Sequence, residues 1–325
     1  MLRRAIAALL LAICASAATL PAYASVPPPL AALGQDVGNI ARHVPAAIGI
    51  DVLDLRTGYA ASFNASRSMP AASTIKLPVM VEVFDQLEAG RFDLNRRVTL
   101  YSSDKDYGSG VLCDAPAGTS FSVEQLLAKM IEISDNTATN MLIRLIGRRN
   151  INVKMAELGL ARTHLAQDVR TDDWAIRRAL RTSAGDLVHL LALMAHGELV
   201  DEWSSKEMIG LLEADQINTL LPEPLPEHIA IAHKTGSLED TLNDAGIVYA
   251  EDAPYVIAVM TTALPSKNLG RAFIHTISRL AYTDELQSAR WRADQAPVIP
   301  DVSPDVPYWD AASPTPSPSP DPPKR

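Results

Sequence analysis

Cysteine is nearly absent from this chain. Its 325 residues hold two, Cys14 and Cys113. Cys14 lies in an apolar leader and follows Ile13, a poor match to a lipid-attachment site, so the remainder can form no intrachain disulfide. Positive charge is not in excess either. The formal net charge is −9, and no basic stripe interleaved with aromatics is present, which disfavours nucleic acid and other polyanions as partners. The seven histidines are scattered, with neither a His-x-His nor a His-Glu-x-x-His pair. A metal enzyme is disfavoured and no cofactor is expected. Long apolar runs are missing except at the very start.

That exception has three parts. Arg3 and Arg4 precede a small, apolar run from Ala5 to Leu20, and Ala22-Tyr23-Ala24 fits a small-x-small cleavage signal. Residues 1–24 therefore read as a secretory signal peptide, against the lesser alternative of an uncleaved anchor. Its removal takes away two arginines and shifts the net charge from −9 to −11. An exported protein is expected, periplasmic or secreted, monomeric, with no stable membrane span. At the other end, ten of the 23 prolines fall in the last 31 residues, too polar and too proline-rich to bury a core. Residues 291–325 are expected to be a disordered tail. Residues 25–29 are a lead-in, and residues 30–290 one catalytic domain.

Within that domain, Ala47–Leu55 and the residues to Phe63 read as a β-hairpin turning at Arg56-Thr57-Gly58. From Ser73 to about Leu220 the apolar spacing is helical. Ser122-Val123-Glu124-Gln125 is a capping-box pattern, Gly147 and Gly159 close helices, and Ser183 and Ser204 are candidate caps. Strands return at Ile229–Ser237, Gly246–Tyr249 and Tyr255–Met260, as an antiparallel meander, before a closing helix. Strands at both ends of the chain predict one shared sheet. The fold class is α/β in the layered α+β sense, an antiparallel sheet flanked by helices with an all-helical lobe inserted.

Three short patterns carry chemistry. Ser73-Thr-Ile-Lys76 puts a hydroxyl and an amine one helical turn apart, near free backbone N–H groups. Ser102-Ser-Asp-Lys105 has the same spacing but sits in a polar, loop-like stretch. Ser134-Asp135-Asn136 falls at a helix–helix joint, and Lys234-Thr235-Gly236-Ser237 on a strand. Serine is a feeble nucleophile until a base takes its proton. Lys76 can do so if burial and a second cation, Lys234, lower its pKa. Ser134 can relay a proton to a leaving nitrogen, and Asn136 can hydrogen-bond a substrate amide. Lys234, Thr235 and Ser237 offer charge and hydroxyls to a carboxylate. Taken singly, Ser134 as a cap, Asn136 as a turn former and Lys234 as a solvated lysine are the commoner roles.

Together and in this order, the three patterns resemble the class A β-lactamases and penicillin-binding proteins. The likeness covers about residues 30 to 285. Ser134-Asp-Asn-Thr-Ala-Thr-Asn140, Tyr107-Gly-Ser-Gly-Val-Leu, His233-Lys-Thr-Gly-Ser237 and Asn243-Asp-Ala-Gly-Ile-Val-Tyr249 favour the class A side. The resemblance implies catalytic Ser73, Lys76, Ser134 and Lys234. It implies substrate binding by Asn136, Thr235, Gly236, Ser237 and Tyr107, with an oxyanion hole at the N–H groups of Ser73 and Ser237. The implied substrate is a β-lactam or a peptidoglycan-like peptide.

One departure is plain. The family's Glu-x-x-Leu-Asn stretch, whose Glu activates the deacylating water, has no counterpart between Thr163 and Ser183, which contains no Glu. Asn140, which in the family holds that Glu, is present without its partner. Asp168, Asp172 and Asp173 are the available carboxylates, and Asp168 is the expected base. Two readings stay open: a β-lactam hydrolase with slow turnover, or a penicillin-binding trap, sensor or D-alanyl peptidase.

Overall fold

The structure, a computed structural model, describes residues 26–171 and 175–295. The expected signal peptide, Asp172, Asp173 and the tail from residue 296 lie outside the described residues. Helix α1 (Pro28–Arg42) begins within the proline lead-in, because proline at the first helical position forfeits only an N–H that has no partner anyway. Strands β1 (Ala47–Asp54) and β2 (Ala60–Phe63) form the hairpin. Its turn uses Gly58 at φ +71°.

The chain then enters the helical region. A 3₁₀ turn (Ala72–Ile75) runs straight into α2 (Lys76–Glu88). Helix α3 (Val123–Glu132) starts with a full capping box: Ser122 Oγ accepts from Gln125 N, and Gln125 Oε1 accepts from Ser122 N. Helices α4 (Asn136–Ile146), α5 (Arg148–Glu157), α6 (Ile176–Ala179), α7 (Ala184–Ala195) and α8 (Glu202–Glu213) follow. Ser183 caps α7 as the sequence predicts. Ser204 does not cap α8. Asp201 stands at the cap and accepts from Ser204 N at 2.6 Å, a carboxylate at the positive end of the helix.

Strands β3 (Ile231–Leu238), β4 (Thr241–Val248) and β5 (Tyr255–Thr262) make the meander, and α9 (Lys267–Gln295) closes the fold, running past the expected boundary at residue 290. The sheet order is β2-β1-β5-β4-β3, antiparallel throughout, with Ala47 opposite Thr262 and Asp54 opposite Tyr255. The two ends of the chain do share one sheet. Alternate strand residues feed two cores. Ile48, Ile50, Ile257 and Val259 pack with Leu30 and Leu33 of α1 and with Ile274 and Ile277 of α9. Val256, Ala258 and Met260 face the helical lobe. Each of these side chains larger than alanine contributes about 1.5–3 kcal/mol by leaving water. Among the described residues no helix is long and apolar enough to cross a membrane.

Where β1 ends against α9, Asp54 is fully buried and accepts from Arg56 N at 2.7 Å and from Arg292 Nη1 at 2.8 Å. Glu285 is buried beside it, and neither carboxyl oxygen accepts a hydrogen bond. Burial first, then the Asp54 carboxylate, push Glu285 up to about 9.

Candidate active site

The site is built at the junction of the sheet edge and the helical lobe, around Ser73. The residue before it, Ala72, holds φ +49°, a strained conformation for a residue with a Cβ, of order 1–3 kcal/mol. Asn243 of β4 secures that strain by donating its amide to Pro70 O at 2.9 Å and Ala71 O at 3.0 Å. Ser73 lies in the 3₁₀ turn rather than in α2 itself. Three residues per turn stack position i over i+3, so Lys76 sits directly above Ser73, with Nζ 3.2 Å from its Oγ. As the second residue of its turn, Ser73 has an N–H with no intrahelical acceptor.

Lys76 is wholly buried. Its Nζ donates to Ser134 Oγ at 2.8 Å, Ser134 O at 2.6 Å and Asn136 Oδ1 at 2.8 Å. Burial, then the charge of Lys234, hold its pKa well below the usual amine range. The carboxylates of Asp135, Asp106 and Asp215 pull the other way without restoring it. The amine thus lies in contact with the hydroxyls of two serines, Ser73 and Ser134. Ser102 and Lys105, the competing pair, lie apart from this. Ser102 is exposed on a short 3₁₀ turn whose Asp104 binds Arg144 at 2.8 Å.

Ser134 is buried at φ +57°, held between α3 and α4 by its neighbour. Asp135 caps α4 through Ala138 N at 2.8 Å, and its other oxygen accepts from Val111 N at 2.7 Å and Leu112 N at 2.8 Å. This clasp fixes the Gly108–Leu112 loop, and a Cβ on Gly110 would stand 2.2 Å from Asp135. Asn136 is oriented at both ends. Its Oδ1 accepts from Lys76, and its Nδ2 donates to Asp106 Oδ1 at 2.8 Å. Asp106 also accepts from Thr171 N at 2.7 Å. Although burial raises it, the Thr171 N–H and Asn136 hold Asp106 below its ordinary range.

Next along β3, Lys234 is fully buried, is not among the residues lining the cavity, and donates to Asp215 Oδ2 at 2.8 Å. It is therefore paired within the protein, not a free surface cation. Thr235 and Gly236 line the cavity, and Gly236 packs so closely that a Cβ would lie 3.0 Å from Ala71 O and 3.1 Å from Ser73 N. Glycine here lets β3 approach the Ser73 backbone. Ser237 is exposed, and its Oγ accepts from Lys267 Nζ at 2.5 Å. Lys267 and Arg271 of α9 line the same cavity, whose volume is about 570 Å³. Asp215, Asp106 and Lys267 are additions that the sequence reading missed. Asp106 adjoins the Tyr107-Gly-Ser-Gly pattern, whereas nothing local marks Asp215 or Lys267.

Two of the expected site residues stand away from the cavity lining. Tyr107 is 75 % exposed and does not line the cavity among the described residues. Its neighbour Gly108 does, packed against Thr171. Asp168 does not face the cavity either. Its half-exposed carboxylate binds Arg148 at 3.3 Å and Arg170 at 3.8 Å on the outer side of the loop. Asn140 instead clasps the next residue: Val169 N donates to Asn140 Oδ1 at 2.9 Å, and Asn140 Nδ2 donates to Val169 O at 3.0 Å. Val169 is 5 % exposed and forms part of the cavity wall. An apolar side chain thus occupies the position gripped by Asn140.

Comparison with known proteins agrees with this architecture. A β-lactamase from Streptomyces lavendulae is 27 % identical over 232 residues, covering 67 % of this chain and 74 % of its own. The structure of PBP-A aligns at a TM-score of 0.74 and 28 % identity, over 79 % of this chain and 96 % of its own. A leucine-to-glutamate variant of PBP-A, solved as an acyl-enzyme complex with penicillin G, aligns at a TM-score of 0.75, 29 % identity, and 79 % and 97 % coverage. A β-lactamase from Sphaerobacter thermophilus aligns at a TM-score of 0.72 and 29 % identity, over 80 % and 97 % of the two chains. The β-lactamase/transpeptidase-like fold accounts for the sheet and its helical lobe. With the β-lactamase enzyme family matching residues 32–284, this chain belongs to that family of class A- and penicillin-binding-protein-like serine hydrolases.

Proposed function

We propose that this protein is an exported serine hydrolase that is acylated by β-lactams at Ser73 and releases the acyl group slowly, with residues 30–290 as the catalytic unit. Neutral Lys76 takes the Ser73 proton, and Oγ attacks the lactam carbonyl. The N–H groups of Ser73 and Ser237 hold the oxyanion. The C–N bond breaks as Ser134 passes a proton to the leaving nitrogen. Asn136 receives the acyl amide, and Lys234, Thr235 and Ser237 serve the substrate carboxylate. Support for acylation comes from the Lys76 contacts to both serine hydroxyls.

The observation that carries slow release is Val169. A water attacking the ester needs a base, and the clasp of Asn140 presents an isopropyl group instead. PBP-A, a protein of the same fold solved with penicillin G bound covalently in a variant form, supports the penicillin-binding side. The second reading is an efficient β-lactamase, favoured by the naming of relatives such as the Streptomyces enzyme. Resistance to β-lactams would follow from that reading alone. A D-alanyl peptidase on peptidoglycan shares the acylation step and differs in substrate.

Intact-mass spectrometry after mixing with benzylpenicillin tests the proposal. A one-equivalent adduct at Ser73 that outlasts many mixing times is expected, absent in Ser73→Ala and unaffected in Ser102→Ala. Complete hydrolysis with no trapped adduct would establish the second reading. No adduct and no hydrolysis would sink both.

A further inference from the structure

Strand β3 is an edge of the sheet, and its neighbours His233 and Lys234 point to opposite faces. Lys234 shares the lobe face with Ala232, and His233 shares with Ile231 the face toward α9. Residues 215–221 wrap this edge and are held from both sides. On the lobe face, Lys234 donates to Asp215 at 2.8 Å. On the other face, the His233 ring is 1 % exposed and lies between two oxygens. Its Nδ1 is 3.0 Å from Asp244 Oδ1, and its Nε2 is 2.9 Å from Asn218 Oδ1. Asn218 Nδ2 donates to Asp215 O at 3.2 Å, which turns the Asn218 carbonyl toward the ring. Asp244 Oδ2 accepts from Leu221 N at 2.9 Å. A neutral imidazole has a single N–H and would set its lone pair against one of these oxygens. Both contacts are donations only in the imidazolium.

Burial lowers the pKa of His233, but the Asp244 carboxylate and its hydrogen bond, then Asp215, outweigh burial and the charge of Lys234, and the net shift is upward. The bridge is therefore intact below the ring's ordinary value and is lost as pH rises through the raised one. On the same face, α9 contributes His275, whose Nε2 donates to Thr219 O at 3.1 Å and lies 3.8 Å from Glu223. Lys267 and Arg271 of α9 stand at the cavity.

We propose that His233, charged between Asp244 and Asn218, is a positioning residue that fixes the 215–221 segment for acylation at Ser73. This rests on the acylation reading above. Ile217, Thr219 and Leu220 of that segment line the cavity, so its place sets one wall. Asp215 of the same segment holds Lys234, whose charge is the second cause of the low pKa of Lys76. Losing the bridge frees the segment on one face, and the wall and the partner of Lys234 shift together. His233 acts only through the segment. The bridge also gives a part to His233 and Asp244, two positions of the His-Lys-Thr-Gly and Asn-Asp-Ala-Gly patterns that the acylation chemistry leaves unused.

Two measurements test this. The first needs no substrate: nitrogen NMR of the protein carrying isotope-labelled histidine, with the His233 signals assigned from their loss in His233→Gln or their displacement in Asp244→Asn. At pH 6.5, where an ordinary ring is half protonated, both His233 nitrogens should be almost fully protonated. A ring half protonated or less overturns the bridge. The second is the second-order acylation rate with benzylpenicillin against pH, read by intact-mass spectrometry. The unmodified protein should lose about tenfold as pH rises through the His233 value, the scale of a shift of a few tenths of an ångström. Asp244→Asn keeps the shape without the charge and should move that alkaline limb to lower pH. His233→Gln cannot titrate, so the limb should vanish and the rate at neutral pH should be about tenfold lower. If His233→Gln fails to fold, Asp244→Asn carries the test. An alkaline limb absent from the unmodified protein, or unchanged in the variants, overturns the positioning role and leaves acylation standing. Absence of any adduct in the unmodified protein overturns the acylation reading and the positioning role with it.

Discussion

Replacing Val169 by Glu restores a carboxylate at the place that Asn140 grips. The two bonds from Asn140 to the backbone of residue 169, at 2.9 and 3.0 Å, do not involve its side chain and survive the change. The carboxyl then projects into the cavity that Val169 now lines, on the wall it shares with Ser73 and Lys76. A positioned general base contributes about 10²–10⁴-fold. A misplacement of about 1 Å forfeits about 10² of it. Deacylation of the benzylpenicillin adduct is therefore expected to quicken by about 10²-fold. The same burial costs stability. Val169 is 5 % exposed, and a carboxylate there loses its water. A net loss of about 1–3 kcal/mol follows. Adduct decay is timed by mass spectrometry, with Val169→Gln as the control of equal shape and no basicity. If the Glu and Gln variants shed the adduct at the same rate, position 169 is not where the missing base belongs.

Further outcomes follow from the same geometry. Gly236→Ala places a methyl 3.0 Å from Ala71 O and 3.1 Å from Ser73 N; a shift of a few tenths of an ångström should slow acylation about tenfold, read as adduct formation, with the thermal midpoint little changed. Because Lys76 acts as a base only when neutral, acylation should fall as pH drops through its lowered pKa. Removing Lys234 removes the second cause of that lowering, so the acid limb of the rate profile should move to higher pH in Lys234→Ala. Glu285, pushed up from 4.5 to about 9, keeps a proton in the fold that the unfolded chain releases, so its cost is absent below about pH 4.5 and grows by about 1.4 kcal/mol per unit up to about pH 9. Glu285→Gln should therefore gain on the unmodified protein by about 3 kcal/mol more at about pH 7.5 than at about pH 5.5, in urea unfolding; an equal gain at both would show that Glu285 is ionised in the fold.

What was legible in the sequence is what local chemistry dictates. The strands announce themselves by β-branched alternation, and their pairing across more than two hundred residues follows because neither end can bury its sheet face alone. Ser73 and Lys76 are three apart in any helical turn, so their meeting needs no tertiary knowledge. Ser122 and Ser183 cap helices through bonds that span three residues. The misreading of Ser204 is of the same local kind: Asp201, three residues earlier, competes for the same helix end and wins with a full charge. What was hidden depends on contacts between distant segments. Asp215 meets Lys234 only once α8 is docked beside the sheet, and Arg177 meets Asp240 only once α6 lies against the β3–β4 turn. The loop shows the limit most sharply. Asp168 is the carboxylate that counting along the chain selects, but in this loop Asp168 and Val169 meet different surroundings. An error of one residue in register thus exchanges a cavity wall for a surface ion pair. Arg148 and Arg170 draw Asp168 outward, and the same geometry turns Val169 inward under the grip of Asn140. The chemistry of release therefore rests on a register that two hydrogen bonds set, and no residue type in the loop reveals it.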